Sequence, residues 1–391
     1  MSEHVLALNA GSSSLKFAFY ALSGEGDPQI QWHGQVERIG DAPHLIAEAT
    51  DGQTINRALV GAKTHADSIK AFLTLQQELM PGINIRAIGH RVVHGGPVYS
   101  KPILIDETVL DTLEQYVPFA PLHQTYSLAG VRAAQLAFPG AVQVACFDTA
   151  FHRTHPWVND TFALPKRYYD AGVRRYGFHG LSYDYVSGKL RSIAPLLHQG
   201  RGIIAHLGNG ASMCAVLGGR SVASSMGFSA LDGLPMGTRS GQLDPGVVLY
   251  MLQQEGMNAD EIADVLYRQS GLYGLSGLSS DMRTLLAADT PEAQGAIDYY
   301  VFRIRRELGA LAAALKGVDV LVFTGGIGEN SAEIRQRICE GMEWIGIEVD
   351  PARNAECRTV ISAELSRVRV MVIPTNEEMI LARAAVRFAS S

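Results

Sequence analysis

The chain has 391 residues, 47% hydrophobic and 18% charged, with a net charge of −6. At about 150 residues per domain this is length for two or three domains; the composition excludes a disordered chain, and the acidic balance argues against a general nucleic-acid binder. The start, MSEHVLALNAGSSSLK, is not a signal peptide, and no apolar run reaches the ~20 residues of a membrane span, so a cytoplasmic protein without membrane partners is expected. Four scattered cysteines (Cys146, Cys214, Cys339, Cys357) include no CxxC pair and suggest neither a disulfide framework nor a zinc site.

Taken in chain order, residues 5–8 and 15–22 read as two strands joined by a Gly/Ser turn. A helix is expected over 65–79, with Ile69, Phe72, Leu73 and Leu79 on its apolar side. Residues 141–147 read as a buried strand, and 202–217 as a second glycine-turned hairpin. Placing Gly11 over Gly210 aligns the two hairpins without gaps and suggests an internal duplication. After Thr290-Pro291, a helix N-cap followed by a first-turn proline, Ile297, Val301, Ile304, Leu308, Leu311 and Leu315 keep helical spacing. A strand over 318–323, a glycine turn, a helix from Ser331 and a strand over 368–373 follow. Asn376 can cap a final helix whose first turn carries Glu377 and Glu378. Strands alternating with helices make the fold α/β. No linker is evident; the proposed division is 1–149 with 375–391 as one domain and 150–374 as the other.

Three glycine turns follow apolar strands: NAGSSSLK (9–16), LGNGAS (207–212) and TGGIGENS (324–331). Without Cβ atoms in the way, their backbone N–H groups can approach a phosphate; each alone reads more readily as an ordinary hairpin or strand-to-helix turn, and together, at strand ends of a duplicated scaffold, they favour a nucleotide. None is a P-loop, because Lys16 lacks the preceding glycine of that motif, and the dinucleotide fingerprint around Gly326 and Gly328 is partial. Arg91 in GHRVVHGG and Arg239 in MGTRSG have apolar and glycine flanks that suit a cleft better than a solvated face. Asp148 ends a strand, where α/β sheets place ligands. His90/His94 and His152/His155 tempt a zinc reading, but the first pair lies in a strand-like run and no HExxH occurs. His179, in YGFHG, sits in another glycine-flanked loop.

Together these segments, with APLH, SMGF, DPG and PTNEE, resemble the acetate kinase (acetokinase) family in order and over nearly the whole chain. The resemblance implies two similar α/β domains of the acetate kinase, sugar kinase, heat-shock chaperone and actin superfamily, a duplicated ribonuclease H-like fold around a nucleotide cleft. It implies reversible transfer of phosphate from ATP to acetate, and to propionate, with Mg2+ or Mn2+, giving ADP and an acyl phosphate in a cytoplasmic homodimer. By position, Arg91, Val93, Leu122 and Phe178 would form the acid pocket, and Asp148, Arg239, His179 and His123 would serve catalysis. Asn9 and Glu377 match metal-linked positions. Ser12, Lys16, His206, Leu207, Gly208, Asn209 and Gly210 would meet the phosphates. Asp281, Met282, Arg283, Gly325, Gly326, Ile327, Gly328, Glu329 and Asn330 would hold the nucleoside.

Two departures stand out: Gln124-Thr125 where the family has Asn-Pro, and Ser229-Ala230 where it has Thr-Pro, the second leaving acetate against propionate open. A kinase of longer acids such as butyrate, a non-catalytic nucleotide-dependent regulator and a dinucleotide-dependent oxidoreductase are the alternatives.

Overall fold

The computed structural model describes residues 3–11, 14–22, 26–39, 41–59, 61, 64–79 and 82–389. They form two compact units, one running to Ala150 and resumed from Asn376, the other Phe151–Thr375.

The first unit is built on eight strands: β1 Glu3–Ala10, β2 Leu15–Ala21, β3 Gln29–Glu37, β4 His44–Ala49, β5 Thr54–Ala58, β6 Asn84–Val92, β7 Ile103–Leu104 and β8 Val142–Phe147, ordered β5-β4-β3-β2-β1-β6-β8-β7. β1 runs antiparallel to β2 and parallel to β6, which is parallel to β8. Val5, Leu6, Ala7 and Leu8 are all buried, as expected for a central strand covered on both faces. On one face the helix His65–Leu79 places Ile69 and Phe72 in a cluster with Phe17 and Phe19, joined by Ala134 of the helix Pro121–Ala137. The final helix, Glu377–Ala389, packs on β1, β6 and β8. Its approach is close enough that a side chain at Gly89 would strike the Leu381 carbonyl. The side chains of Leu73 and Leu79 lie outside what is described.

The second unit has five strands, β9 Arg201–Leu207, β10 Ala211–Leu217, β11 Arg220–Ser224, β12 Val320–Thr324 and β13 Arg369–Val372, ordered β11-β10-β9-β12-β13. β10 is antiparallel to both neighbours, while β9, β12 and β13 are parallel. This is the pattern of β3-β2-β1-β6-β8, so the fold is a topological duplication in two α/β units. The ungapped overlay of the hairpins does not hold. It would pair Asn209 with Cys214, whereas Cys214 pairs with Ile204; Ala10↔Leu15 encloses four residues and Leu207↔Ala211 three.

Thr290 caps the helix Pro291–Leu315 by accepting from Ala293 N–H, and the apolar stripe named from the sequence is buried along its full length. The expected glycine turn after β12 is instead a helix, Gly325–Asn330, entered through Gly325 at φ +76°. Ser331 then caps a second helix, Ala332–Cys339. Among the described residues no helix is long and apolar enough to cross a membrane.

Candidate active site

In the first unit the parallel core brings three strand ends together. Arg91 lies at the end of β6, Asn9 near the end of β1, and Asp148 directly after β8, where its N–H donates to the Val92 carbonyl at 3.2 Å. Asp148 is 1% exposed. Arg91 grips it through Nε, at 3.1 and 3.0 Å from the two carboxylate oxygens, and Nη2 at 2.6 Å, while Nη1 donates to Asn9 Oδ1 at 3.1 Å. These bonds occupy three of the five guanidinium N–H groups and leave one on each terminal nitrogen. Lys16, exposed on β2, is the cross-strand partner of Asn9. Glu377 opens the final helix. Burial pushes its carboxyl up to about 7, with Arg91 pulling it down, Asp148 and Glu378 adding to the rise, and Lys16 opposing it.

The HRVVHGG segment is held from two sides. Gln124, fully buried on the helix Pro121–Ala137, accepts from His94 N–H at 3.0 Å and donates to the His94 carbonyl at 3.0 Å. Thr149 Oγ1 accepts from Gly95 N–H at 3.0 Å. Gly96 sits at φ +59° with its missing side chain filled by the Tyr116 ring. This fixes Val93, 5% exposed, two residues from Arg91. His123 is half-buried one residue before Gln124. The side chain of Leu122 and the whole of Ser12 lie outside the described residues.

In the second unit His179 adopts a left-handed conformation, φ 57°, at the start of the helix Gly180–Ile193. Its Nδ1 lies 2.8 Å from Ser212 Oγ and its ring stacks on His206 at 4.4 Å, with His206 Nδ1 2.8 Å from Ser182 Oγ. Phe178 is 3% exposed. Leu207 ends β9, and Gly208 N–H donates to the Gly210 carbonyl across the turn at 3.0 Å. Gly237 N–H donates to the Asn209 carbonyl at 3.0 Å, joining that turn to the MGTRSG loop. There Arg239 Nη1 donates to the Ala230 carbonyl at 3.3 Å and lies 3.7 Å from Met236 Sδ. Asp281 caps the helix Met282–Ala287, pairs with the exposed Arg283 at 2.6 Å and is held down to about 2 by that partner; Met282 is buried.

The helix Gly325–Asn330 is closed on itself. Glu329 Oε1 accepts from Gly325 N–H at 2.8 Å and from Thr375 N–H at 3.1 Å, and Asn330 Nδ2 donates to the Gly326 carbonyl at 2.9 Å. Gly326 is exposed, Ile327 half-buried, and Gly328 buried.

The tempting histidine pairs are spent elsewhere: His90 on Gln143, His94 on Gly96 N–H, and both His152 and His155 on Ser221. Among the described residues no three His, Cys, Asp or Glu side chains could close around a metal.

A model of the acetokinase family matches residues 4–383. The chain belongs to the acetokinase family. It is 57% identical to an acetate kinase of Methylocella silvestris over 98% of this chain and 97% of the relative, and 50% identical to one of Nitrobacter hamburgensis over 97% and 95%. Among solved structures it is similar to the acetate kinase of Porphyromonas gingivalis (38% identity, TM-score 0.89) and to a propionate kinase of Francisella tularensis (37%, TM-score 0.90). Each match covers 98% of this chain and 99% of the solved one. An acetokinase is a phosphotransferase with a carboxylate acceptor, and that is the enzyme class of this chain; the longer-acid alternative is not favoured.

Against that family background, the residues missed by sequence reasoning are the ones that hold the named ones. Gln124 and Thr149 lock the segment after Arg91. Arg335, fully buried, donates to the Gly328 and Glu329 carbonyls at 2.9 and 2.8 Å and to Asn354 Oδ1 at 2.8 Å. Burying a guanidinium is expensive unless its donors are met, so a buried arginine marks a backbone worth fixing. The available signal was an arginine at an apolar-facing position of the helix from Ser331.

Proposed function

We propose that this acetokinase transfers the γ-phosphoryl group of ATP reversibly to acetate, and to propionate, releasing ADP and the acyl phosphate. The observation carrying the reading is the Arg91–Asp148 fork: a guanidinium held in place by a buried carboxylate, with one N–H still available on each terminal nitrogen. Those donors suit a small carboxylate, and a locked guanidinium binds one at little cost in side-chain entropy. Acetate is ionised at neutral pH and needs no base. Asp148, gripped by Arg91, therefore serves best as an orienting group. Val93, Leu122 and Phe178 are proposed, by the family resemblance, for the apolar wall, and one methylene changes an acid pocket's preference by only ~1–3 kcal/mol, which supports overlapping use of both acids.

Phosphoryl transfer spreads charge over the transferring group, so the protein's work is positioning and charge stabilisation. Arg239, His179 and His123 are proposed for that task. Lys16, with Ser12, His206, Leu207 and the Gly208–Asn209–Gly210 turn, would meet the phosphates. Asp281, Met282, Arg283 and the helix Gly325–Asn330 would take the nucleoside.

A divalent cation fits the oxygen donors present. Asn9 and Glu377 would hold it, and the cation would favour the ionised Glu377 carboxylate that burial, and after it the neighbouring Asp148 and Glu378, disfavour. Mg2+ characteristically takes one or two carboxylates together with substrate phosphates rather than a protein-only cage. When bound it supplies charge neutralisation on the phosphates. A homodimer is proposed on the family resemblance alone, readable by light scattering.

The test is a hydroxylamine trap with Mg-ATP and acetate, propionate or butyrate in parallel. Acyl hydroxamate from acetate and propionate is expected. Product from butyrate alone, or none from any acid despite ATP binding, overturns the proposal.

A further inference from the structure

His152 and His155 follow Asp148 by four and seven residues and find no use in the chemistry above, yet His152 is fully buried. We propose that His152 is a positioning residue for the Phe178–His179 turn, its tautomer set by a hub on Ser221; its effect on catalysis rests on the phosphoryl-transfer reading of His179.

The short contacts set the protons. His152 Nε2 lies 2.9 Å from the Phe178 carbonyl, which can only accept, so Nε2 carries the ring proton. Nδ1 is then an acceptor, and Ser221 Oγ, 2.8 Å away, must donate to it. That uses the single hydroxyl proton. His155 Nε2, 2.8 Å from the same oxygen, must therefore donate; Cys214 Sγ lies 3.1 Å from that oxygen, 3.6 Å from the Ala215 carbonyl and 3.9 Å from His152 Nδ1, a longer and weaker contact than the Ser221 bond to the same nitrogen. One hydroxyl thus fixes two imidazole tautomers. Both rings are kept neutral, first by burial, so no charge competes with this arrangement.

The turn that His152 supports needs support. Gly177 has φ +71° and lies against the His152 ring, where an added Cβ would come within 2.7 Å of it. On the other side, Tyr176 and Gly177 N–H both donate to the Gly227 carbonyl, at 2.9 and 3.2 Å. Next in the chain, His179 is a non-glycine residue in left-handed backbone, a conformation that persists only when its surroundings over-determine it. The bond from His152 to the carbonyl immediately before His179 is part of that over-determination. It fixes the peptide from which the His179 ring is aimed at Ser212 and His206.

The test compares His152→Phe, which keeps a ring but loses both bonds, with His152→Gln, whose amide can still donate toward the Phe178 carbonyl, and with Ser221→Ala. For His152→Phe, kcat for acyl phosphate formation should fall by roughly 10²-fold, the scale of an ångström-sized misplacement. KM for ATP and calorimetric ADP affinity should stay within about twofold, and His152→Gln should recover most of the loss. Histidine-selective 15N NMR gives a readout independent of turnover: His152 should show the Nε2–H tautomer, and the His179 ring signals should move in His152→Phe and return in His152→Gln. Unchanged kcat, a loss that follows melting temperature equally in both variants, or an Nδ1–H tautomer overturns the inference. A wild-type enzyme that makes no acyl phosphate overturns the reading of the reaction instead, while the NMR arm still decides whether His152 holds His179.

Discussion

The two units share a strand order but not a chemistry. At the strand ends of the first, the groups are charged and mutually neutralising: Arg91 lies between Asp148 and Asn9, with Glu377 interacting electrostatically with the pair. At the strand ends of the second they are imidazoles and backbone, with one carboxylate turned in on its own helix: the stacked His179 and His206, the Gly208–Gly210 turn, and the helix Gly325–Asn330 closed by its own Glu329. Duplication therefore set the scaffold, and the residues added at its ends set the ligand. A small anion with one carboxylate calls for a fixed cation whose charge is already balanced; a nucleotide calls for backbone donors reached without Cβ atoms in the way.

This contrast can be broken by mutation. The largest effect is expected from Arg239→Ala, which should lower kcat by about 10³ by analogy with arginines that stabilise phosphoryl-transfer transition states. An unchanged kcat removes Arg239 from the reaction. Arg91→Ala should raise KM for the acid by roughly 10²-fold while leaving KM for ATP nearly unaltered, and a change confined to ATP would reverse the assignment of the two units. Gly96→Ala forces a side chain into left-handed backbone against Tyr116; a loss of ~2–4 kcal/mol in denaturant unfolding is expected, with little change in the nucleotide affinity of the other unit.

The pH dependence follows from the buried imidazoles. Burial holds His90 down to about 4, against about 6.5 when unfolded. Between those values the unfolded chain binds the extra proton, so His90's contribution is complete above pH 6.5 and is lost as pH falls toward 4, at up to ~1.4 kcal/mol per pH unit. His90→Gln should flatten the fall of melting temperature over that window, and an unaltered profile would show His90 already protonated in the fold. The smallest effect is Thr290→Ala, about 1 kcal/mol for a lost helix cap, read as a shift in urea midpoint.

What was legible in the sequence was local. The first hairpin and the helix Pro291–Leu315 announce themselves through apolar periodicity and caps. Arg91, Asp148 and His179 stand out because glycines or a strand end flank them. What was not legible depends on partners distant in the chain. Strands β3 to β5 and β11 carry no motif, only β4 alternates cleanly between buried and exposed positions, and all of them pair with a neighbour, each far less conspicuous in sequence than the first hairpin. The amide of Gln124 could clamp His94 only once a helix was docked beside that segment, thirty positions back in the chain. The helix Gly325–Asn330 was hidden by its own glycines, which signal a turn; the carboxylate of its own Glu329 and a buried arginine, Arg335, five residues past its end stabilise it instead. The ungapped overlay failed because one turn is a residue longer than the other, a difference that side-chain identity cannot reveal.

The second unit lies between two stretches of chain that build the first, and Glu377 sits on the returning helix that packs over Gly89. During synthesis the ribosome therefore delivers every residue of the second unit before the segment that completes the first. Arg91 and Asp148 are made early but acquire their helix and its carboxylates last. Domains generally fold as units as they emerge, so the nascent chain should pass through a stage with a finished second unit and an open first sheet. In that interval the uncovered face of β1, β6 and β8 is the surface a chaperone would have to guard.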